Sequence, residues 1–144
     1  ILNIIDPTEV KSVTDFSEFV TNKMVEIASN TQFNRIEMET KFRQTFLLLD
    51  NVFADSTFQK YSEAKGRFEG KFLVAAFEAI AIGLGKNIQL WTAIEYNEKV
   101  KASLVSKVKE IWADGSFQAR YGSGVNVTSR VPVLLPLGEN ILRP

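Results

Sequence analysis

The side chains that could carry out chemistry in this chain are carboxylates, lysines, arginines and hydroxyl groups. The 144 residues include no histidine and no cysteine. Without histidine, the chain lacks the commonest general base near neutral pH and the commonest metal ligand, and a Ser-His-Asp triad is excluded. Without cysteine, thiolate nucleophiles and zinc-thiolate sites are excluded. We therefore predict no catalytic residue, no metal site and no cofactor, and we predict that the chain by itself is not an enzyme.

Two Gly-Lys pairs, at residues 70–71 and 85–86, raise the question of phosphate binding. A phosphate-binding P-loop has the pattern G-x-x-x-x-G-K-[ST] between a strand and a helix. The first pair follows Gly66 with one residue too few between the glycines, and Phe72 stands where a hydroxyl residue is required. The second pair ends a predicted helix instead of preceding one. The pattern therefore argues against a phosphate loop, and Gly85 or Asn87 is predicted to end the helix.

Basic residues interleaved with aromatic ones can hold a nucleic-acid backbone. The densest such run lies between Lys60 and Phe72, and two arginines flank a glycine-rich loop near residue 124. The residues predicted to contact nucleic acid are Lys65, Arg67, Lys71, Arg120 and Arg130. The alternative is a solvated connection whose aromatic side chains anchor it to the core. The 17 basic and 17 acidic residues balance, which excludes a uniformly basic surface but leaves room for a local patch.

The carboxylates allow fewer interpretations. Glu95 and Glu98 would share a helix face and could pair as metal ligands, although a solvated surface is favoured. Glu78 interrupts an apolar run and is predicted to be a buried structural carboxylate paired with a cation, since an unpaired buried charge is costly. The candidate partners are Arg67, Lys71 and Arg120. Residues 126–128 match a glycosylation sequon, for which chance occurrence is favoured.

Helical periodicity dominates the elements that must position these side chains. It predicts an all-α fold, an irregular bundle of about four to six helices in a single domain spanning residues 1–144. A first helix runs from a capping Asp15 to Asn30, and a second from about Phe33 to Ala54. The polar segment 54–70 is predicted to be a short helix or loop, and no segment shows the alternation of a strand. The first two apolar stripes are Phe16, Val20, Met24 and Ile27, and Phe42, Phe46, Leu49 and Phe53.

The second half of the chain predicts three further features. The run from Phe72 to Leu84 is too short for a membrane span of about 20 residues and is predicted to be a core helix packed on the second stripe. A fourth helix ends at Asp114-Gly115, with a left-handed glycine cap. A last helix, RVPVLLPLGENIL, is capped by Thr128 or Ser129. The fourth helix presents a core stripe of Val100, Leu104, Val108 and Ile111.

The ends of the chain favour a fragment of a larger protein. The chain starts without methionine and ends in ILRP. Its opening, ILNIIDP, lacks the basic residues with which a signal peptide begins. With the absence of cysteine, this favours a cytoplasmic location. No membrane partner is expected.

The segment GRFEGKFLVAAFEAIAIGLGKN, preceded by FLLLDNVF at residues 46–53, carries a family resemblance. Across residues 34–90 the chain resembles the helical region near the end of bacterial defence proteins of the GmrSD restriction type. Those proteins begin with a ParB-like nucleotide-binding nuclease domain, and an HNH-type nuclease domain often follows the helical region.

The catalytic signatures of that family are missing here. The chain has no Asp-Gly-Gln-Gln-Arg-like motif, and an HNH domain needs histidines, of which there are none. The resemblance therefore implies a non-catalytic helical module of a DNA-targeting restriction or phage-defence protein. Its implied partners are a nuclease or NTPase domain of the same protein and, additionally, DNA. The alternative is a free-standing all-α interaction or oligomerisation domain, and a homo-oligomer is compatible with either.

Overall fold

The computed structural model describes residues 4–144, so the expectations about the first three residues lie outside it. About 70% of the molecule is helical, which confirms the helical prediction. In the described part the α-helices are α1 (Phe16–Ser29), α2 (Arg35–Phe53), α3 (Val74–Ala76), α4 (Gly83–Thr92), α5 (Glu98–Ala113), α6 (Gly115–Gln118) and α7 (Val127–Ile141). A π-helical segment, Phe77–Ile82, joins α3 to α4, and short 3₁₀ helices lie at Pro7–Ser12, Ala54–Ser56 and Glu63–Lys65.

The strictly all-α prediction is wrong, because the segment expected to be a helix or loop contains a β-hairpin. Strand β1 (Lys60–Ser62) pairs antiparallel with β2 (Arg67–Glu69), and Tyr61 lies opposite Phe68 with ring centroids 5.1 Å apart. Gly66, between the strands, has a φ of +64°, which favours glycine. Strands of three residues are too short to show a period of two, so the pattern gave no strand signal.

Side-chain caps set the starts of the long helices. Asp15 accepts hydrogen bonds from the amides of Ser17 and Glu18, which confirms the predicted start of α1. Asn97 caps α5 in the same manner. The last helix begins earlier than predicted, because Asn126 and not Thr128 or Ser129 is its cap, and its side chain accepts from the amide of Thr128.

The prediction that Gly85 or Asn87 ends the third helix is wrong, because the helix continues through both to Thr92. A nearby glycine, Gly83, lies against α7, and a Cβ there would stand 2.3 Å from the backbone carbon of Gly138. The Asn87 amide donates to the carbonyl oxygens of Gly83 and Glu139, at 3.1 and 2.7 Å. Residue types typical of a helix end here serve close packing between helices instead.

The fourth helix ends without the predicted glycine cap. Asp114 is both the C-cap of α5 and the N-cap of α6. Its side chain accepts hydrogen bonds from the backbone amides of Ser116 and Phe117. Gly115 begins α6 as its first residue. In the described residues the glycines with positive φ are Gly66, Gly70 and Gly124.

The main core lies between α2, the continuous helix α3 to α4, α5 and α7. The predicted α5 stripe is buried, with Leu104 and Val108 fully so. The predicted stripe on α2 is only partly buried. Leu49 and Phe53 are buried, and the ring centroids of Phe46 and Phe77 are 6.3 Å apart. Phe42, in contrast, is 62% exposed. Phe72, expected on the facing side, is 58% exposed because it precedes the helix.

Helix α1 lies at the edge of the fold and contributes no buried residue, contrary to its predicted apolar stripe. Its first turn, through Phe16 and Phe19, packs beside a small second cluster of Ile5, Val10, Val131 and Leu135. Within residues 4–144, no helix combines the length and the apolar character that crossing a membrane requires.

Candidate functional site

The one carboxylate inside the apolar helix forms a buried ion pair with α7. Glu78 is 3% exposed, and the Arg130 side chain is 16% exposed. Arg130 donates from Nε and Nη2 to the two carboxylate oxygens of Glu78, at 2.6 and 2.9 Å, and from Nη1 to the carbonyl oxygen of Val125 at 2.9 Å. The hydrogen bonds to Glu78 raise the pKa of Arg130, so its charge is permanent.

This geometry answers the expectation for Glu78. The carboxylate is buried and paired, but the predicted partners Arg67, Lys71 and Arg120 are wrong. Arg130 approaches from 52 residues away along the chain. Because both oxygens of the carboxylate are held by one guanidinium, Glu78 is placed to join the two helices rather than to transfer a proton.

The five residues predicted to contact nucleic acid differ in their surroundings, and most of them are held by partners within the chain. Lys65 and Arg67 both pair with Glu69, at 2.8 and 3.2 Å, and the hydrogen bond from Lys65 is the main cause that lowers the pKa of Glu69. Arg120 donates to the carbonyl oxygens of Ser116 and Ser129, at 3.1 and 3.4 Å, and Lys71 is exposed. Arg130 faces inward in the ion pair, so these five side chains do not form one basic surface.

A large cleft lies between the hairpin and the segment formed by α5 and α6. Its volume is about 1290 Å³, and we call it the hairpin cleft. Of the residues predicted to contact nucleic acid, only Lys71 lines it. Basic and aromatic side chains line both walls. The hairpin side contributes Lys60, Tyr61 and Lys71, and the helical side contributes Lys109, Trp112 and Tyr121.

Two lysines of the hairpin cleft contact two tyrosines from the opposite wall, one at the ring and one at the hydroxyl edge. Lys109 Nζ is 4.7 Å from the ring centroid of Tyr61. Lys60 Nζ is 5.2 Å from the ring centroid of Tyr121 and donates to its hydroxyl at 3.0 Å. These distances are within the range of cation–π attraction. The sequence run pointed to Lys60 and Tyr61, but nothing in it pointed to Lys109 and Tyr121, which lie far along the chain.

The wall of the hairpin cleft also holds a buried donor with no partner. Trp112 is 3% exposed, and its Nε1 has no hydrogen-bond partner among the described residues. The other tryptophan behaves as buried donors usually do, since Trp91 Nε1 donates to the carbonyl oxygen of Leu142 at 2.7 Å. The Trp112 ring packs edge-on against Phe117 and Tyr121, with centroids 4.8 and 5.6 Å away.

Three carboxylates share the hairpin cleft with the lysines. Glu69 is neutralised by Lys65 and Arg67, whereas Glu63 and Glu110 have no cation within 4.0 Å among the described residues. Lys60, Lys71 and Lys109 likewise have no carboxylate within that distance in this part of the chain. The cleft therefore presents charges of both signs beside aromatic rings.

A second, smaller cavity is apolar and lies between α1, α2 and the π-helical segment. Its volume is about 490 Å³, and Phe16, Val20, Phe42, Phe46 and Phe77 are among its lining residues. Helices α1 and α2 also carry several exposed large apolar side chains. These are Met24, Val25, Ile36, Phe42 and Leu47.

The remaining motifs do not form sites. Glu95 lies in the turn before the cap of α5 and Glu98 is the first residue of that helix, so the two do not share a helix face. In the described part of the chain, no three acidic, histidine or cysteine side chains come together as a metal would require. The amide oxygen of Asn126 accepts from the backbone and hydroxyl of Thr128, so the sequon serves as a helix cap.

Comparison of the chain with models of protein families, with curated proteins and with solved structures found no match. The resemblance of residues 34–90 to the helical region of GmrSD-type proteins therefore stays a prediction made from the sequence pattern.

Proposed function

We propose that this chain is a non-catalytic, cytoplasmic helical module of a DNA-targeting bacterial restriction or phage-defence protein, in which it packs on or regulates a nuclease or NTPase domain. The observation that carries the proposal is the apolar character of the exposed part of α1 and α2. Met24, Val25 and Phe42 are each more than half exposed, and an apolar cavity opens beside Phe42.

Exposed apolar side chains beside an apolar cavity are typical of a surface that another protein covers. Helix α1 has no fully buried residue, and its Met24 and Val25 side chains are exposed and available to a partner. The GmrSD resemblance supplies the identity of that partner, a nuclease or NTPase domain of the same protein.

The charged groups support a non-catalytic role. A general acid or base needs a proton that it can exchange with a substrate. Glu78, the most deeply buried carboxylate of the core helix, has both oxygens bound by Arg130. Histidine and cysteine are absent from the whole sequence. The module therefore acts through the surfaces it presents.

A free-standing interaction or oligomerisation domain would use the same apolar side chains on a second copy of the chain. The first test that distinguishes the restriction-protein module from the free-standing domain is the sequence of the complete gene. We expect the full open reading frame to encode an Asp-Gly-Gln-Gln-Arg-like segment upstream of Ile1, and a reading frame without one would contradict the restriction-protein origin.

The second test uses the complete gene product. Phe42→Ser should change its nucleotide hydrolysis or DNA cleavage by at least about tenfold, because burial of a phenylalanine at a domain contact contributes about 1.5–3 kcal/mol. The control is Ile94→Ser, at an exposed apolar side chain in the turn between α4 and α5. Unchanged hydrolysis and cleavage, with self-association of the isolated chain that Phe42→Ser abolishes, would favour the oligomerisation domain instead.

A further inference from the structure

We propose that the hairpin cleft binds single-stranded nucleic acid, with lysines on the phosphates and the two tyrosines as stacking platforms for bases. The inference goes beyond the proposed function, because it rests on this cleft alone and holds whichever domain covers α1 and α2. It also differs from the surface predicted from the sequence, of which only Lys71 lies in the cleft.

The size of the cleft favours an extended ligand. Pockets for small molecules usually measure about 300–1,000 Å³. The hairpin cleft is larger, at about 1290 Å³. Proteins that hold single strands without sequence preference use a groove that carries positive charge along the backbone and aromatic rings that stack on the bases.

The lysines supply the contacts for phosphate. Lys60 and Lys109 come from opposite walls, and Lys71 follows the hairpin on the same side as Lys60. In the described residues none of the three is paired with a carboxylate, so binding a phosphate breaks no ion pair. Each contact of this kind releases counterions and makes the affinity fall as salt rises.

The tyrosines supply the stacking surfaces. Tyr61 and Tyr121 are half-buried, and lysine ammonium groups lie 4.7 and 5.2 Å from their ring centroids, the second at the hydroxyl edge of Tyr121. A lysine side chain is flexible, so its ammonium can move to a phosphate while a base takes its place on the ring. Base stacking on an aromatic side chain contributes about 1–3 kcal/mol per base.

The carboxylates favour a single strand over a duplex. Glu63 and Glu110 repel the phosphates of either form, but a single strand also presents base edges whose amino groups can donate to a carboxylate. In a duplex the pairing edges of the bases are already occupied.

The experiment measures fluorescence anisotropy of a labelled DNA strand of about 20 nucleotides of mixed sequence, free and annealed to its complement, with the 144-residue chain as titrant. We expect the single strand to bind at least about fivefold more tightly than the duplex and to weaken as salt rises from about 50 to about 300 mM. Inorganic polyphosphate, which has no bases, should compete poorly.

Matched variants locate the site. Lys109→Gln should weaken binding of the strand at least about threefold and reduce its salt dependence. Lys101→Gln is the control, because Lys101 is also a half-buried lysine of α5 but does not line the cleft. Tyr121→Leu should weaken binding even at high salt, whereas Tyr96→Leu, in the turn before α5, should not.

Four outcomes would overturn the proposal. They are the absence of binding at about 100 μM chain in low salt, duplex binding as tight as that of the single strand, equal competition by polyphosphate, and equal losses from Lys109→Gln and Lys101→Gln. Circular dichroism of each variant ensures that a lost affinity does not reflect lost folding. Because Tyr121 packs on Trp112, the lysine pair serves as the test if Tyr121→Leu unfolds.

Discussion

At the scale of single residues, several charged side chains of this protein join one element to another. Glu78 and Arg130 connect the π-helical segment to α7 through two hydrogen bonds. Arg35 donates to the last carbonyl oxygens of α1, at Ile27 and Ala28, and so links α2 to α1. Within α2, Arg43 pairs with Glu39 one turn earlier, at 2.8 Å.

Removing one partner of the buried ion pair between Glu78 and Arg130 should lower the free energy of unfolding. Arg130→Met leaves the Glu78 carboxylate buried without a cation, and we expect the free energy of unfolding to fall by about 3–5 kcal/mol. The double variant Glu78→Leu/Arg130→Met should lose less than the sum of its single changes. Urea unfolding of the four proteins in a double-mutant cycle measures the coupling, and strictly additive losses would contradict a direct pair.

The hairpin should weaken in acid. The hydrogen bond from Lys65 lowers the pKa of Glu69, so the folded state favours the ionised carboxylate. The stabilisation is present above the pKa of an unfolded glutamate, about 4.3, and is lost as the pH falls through the lower folded value. The unchanged chain should therefore have a higher Tm than the Glu69→Gln variant at neutral pH. The two Tm values should become similar as the pH falls to about 3. A constant difference across this range would contradict the assignment.

At the scale of elements, the closest helix contact joins the continuous helix α3 to α4 with α7. Gly138 of α7 approaches the carbonyl oxygen of Ala79, and a Cβ at Gly138 would lie within van der Waals overlap of it, at 1.9 Å. Lys86 and Glu139 form an ion pair at 3.0 Å beside this crossing. The glycines therefore permit a backbone approach that any side chain would prevent.

Gly138→Ala should destabilise the fold by about 3 kcal/mol or more, because the added methyl group meets backbone atoms that cannot move independently of their helices. The control is Gly115→Ala, at the start of α6, where a Cβ would meet nothing within 4 Å. Differential scanning calorimetry should show a large fall in Tm for the first variant and little change for the second. Equal Tm values would mean that the two helices do not cross this closely.

At the scale of the whole molecule, one main core and one smaller cluster leave α1 and part of α2 at the edge of the fold. Helix α2 has two different sides as a result. Leu49 is 1% exposed in the core, whereas Phe42 is 62% exposed beside the apolar cavity. The same helix therefore stabilises this chain on one side and leaves apolar side chains exposed on the other.

This division can be measured on α2 itself. Leu49→Ala should lower the free energy of unfolding by about 2–5 kcal/mol, as expected for a buried leucine. Phe42→Ala, although it removes a larger side chain, should cost less than about 1 kcal/mol in the isolated chain. Chemical denaturation measures the free energy of unfolding of both variants. A larger loss of this free energy for Phe42→Ala than for Leu49→Ala would place the Phe42 side chain in the core.

The sequence by itself determined the features that depend on neighbouring residues. Capping by Asp15 and the apolar period of α5 set helix positions, because a helix start and a helix face are decided within a few residues of chain. The absence of histidine and cysteine from the sequence excludes catalysis and metal binding by these two residue types. The burial of Glu78 also followed from its apolar neighbours.

Only the tertiary structure decided what depends on distant segments. The partner of Glu78 lies 52 residues away, and the hairpin cleft places Lys109 and Tyr121 beside Lys60 and Tyr61. The sequence predicts that Gly85 or Asn87 ends a helix, but both lie within one. There α7 packs closely against the nearby Gly83, and Asn87 donates to the carbonyl oxygen of Glu139. Local pattern carries no information on which segments meet, and the energy of packing them together overrides the local preference to end a helix.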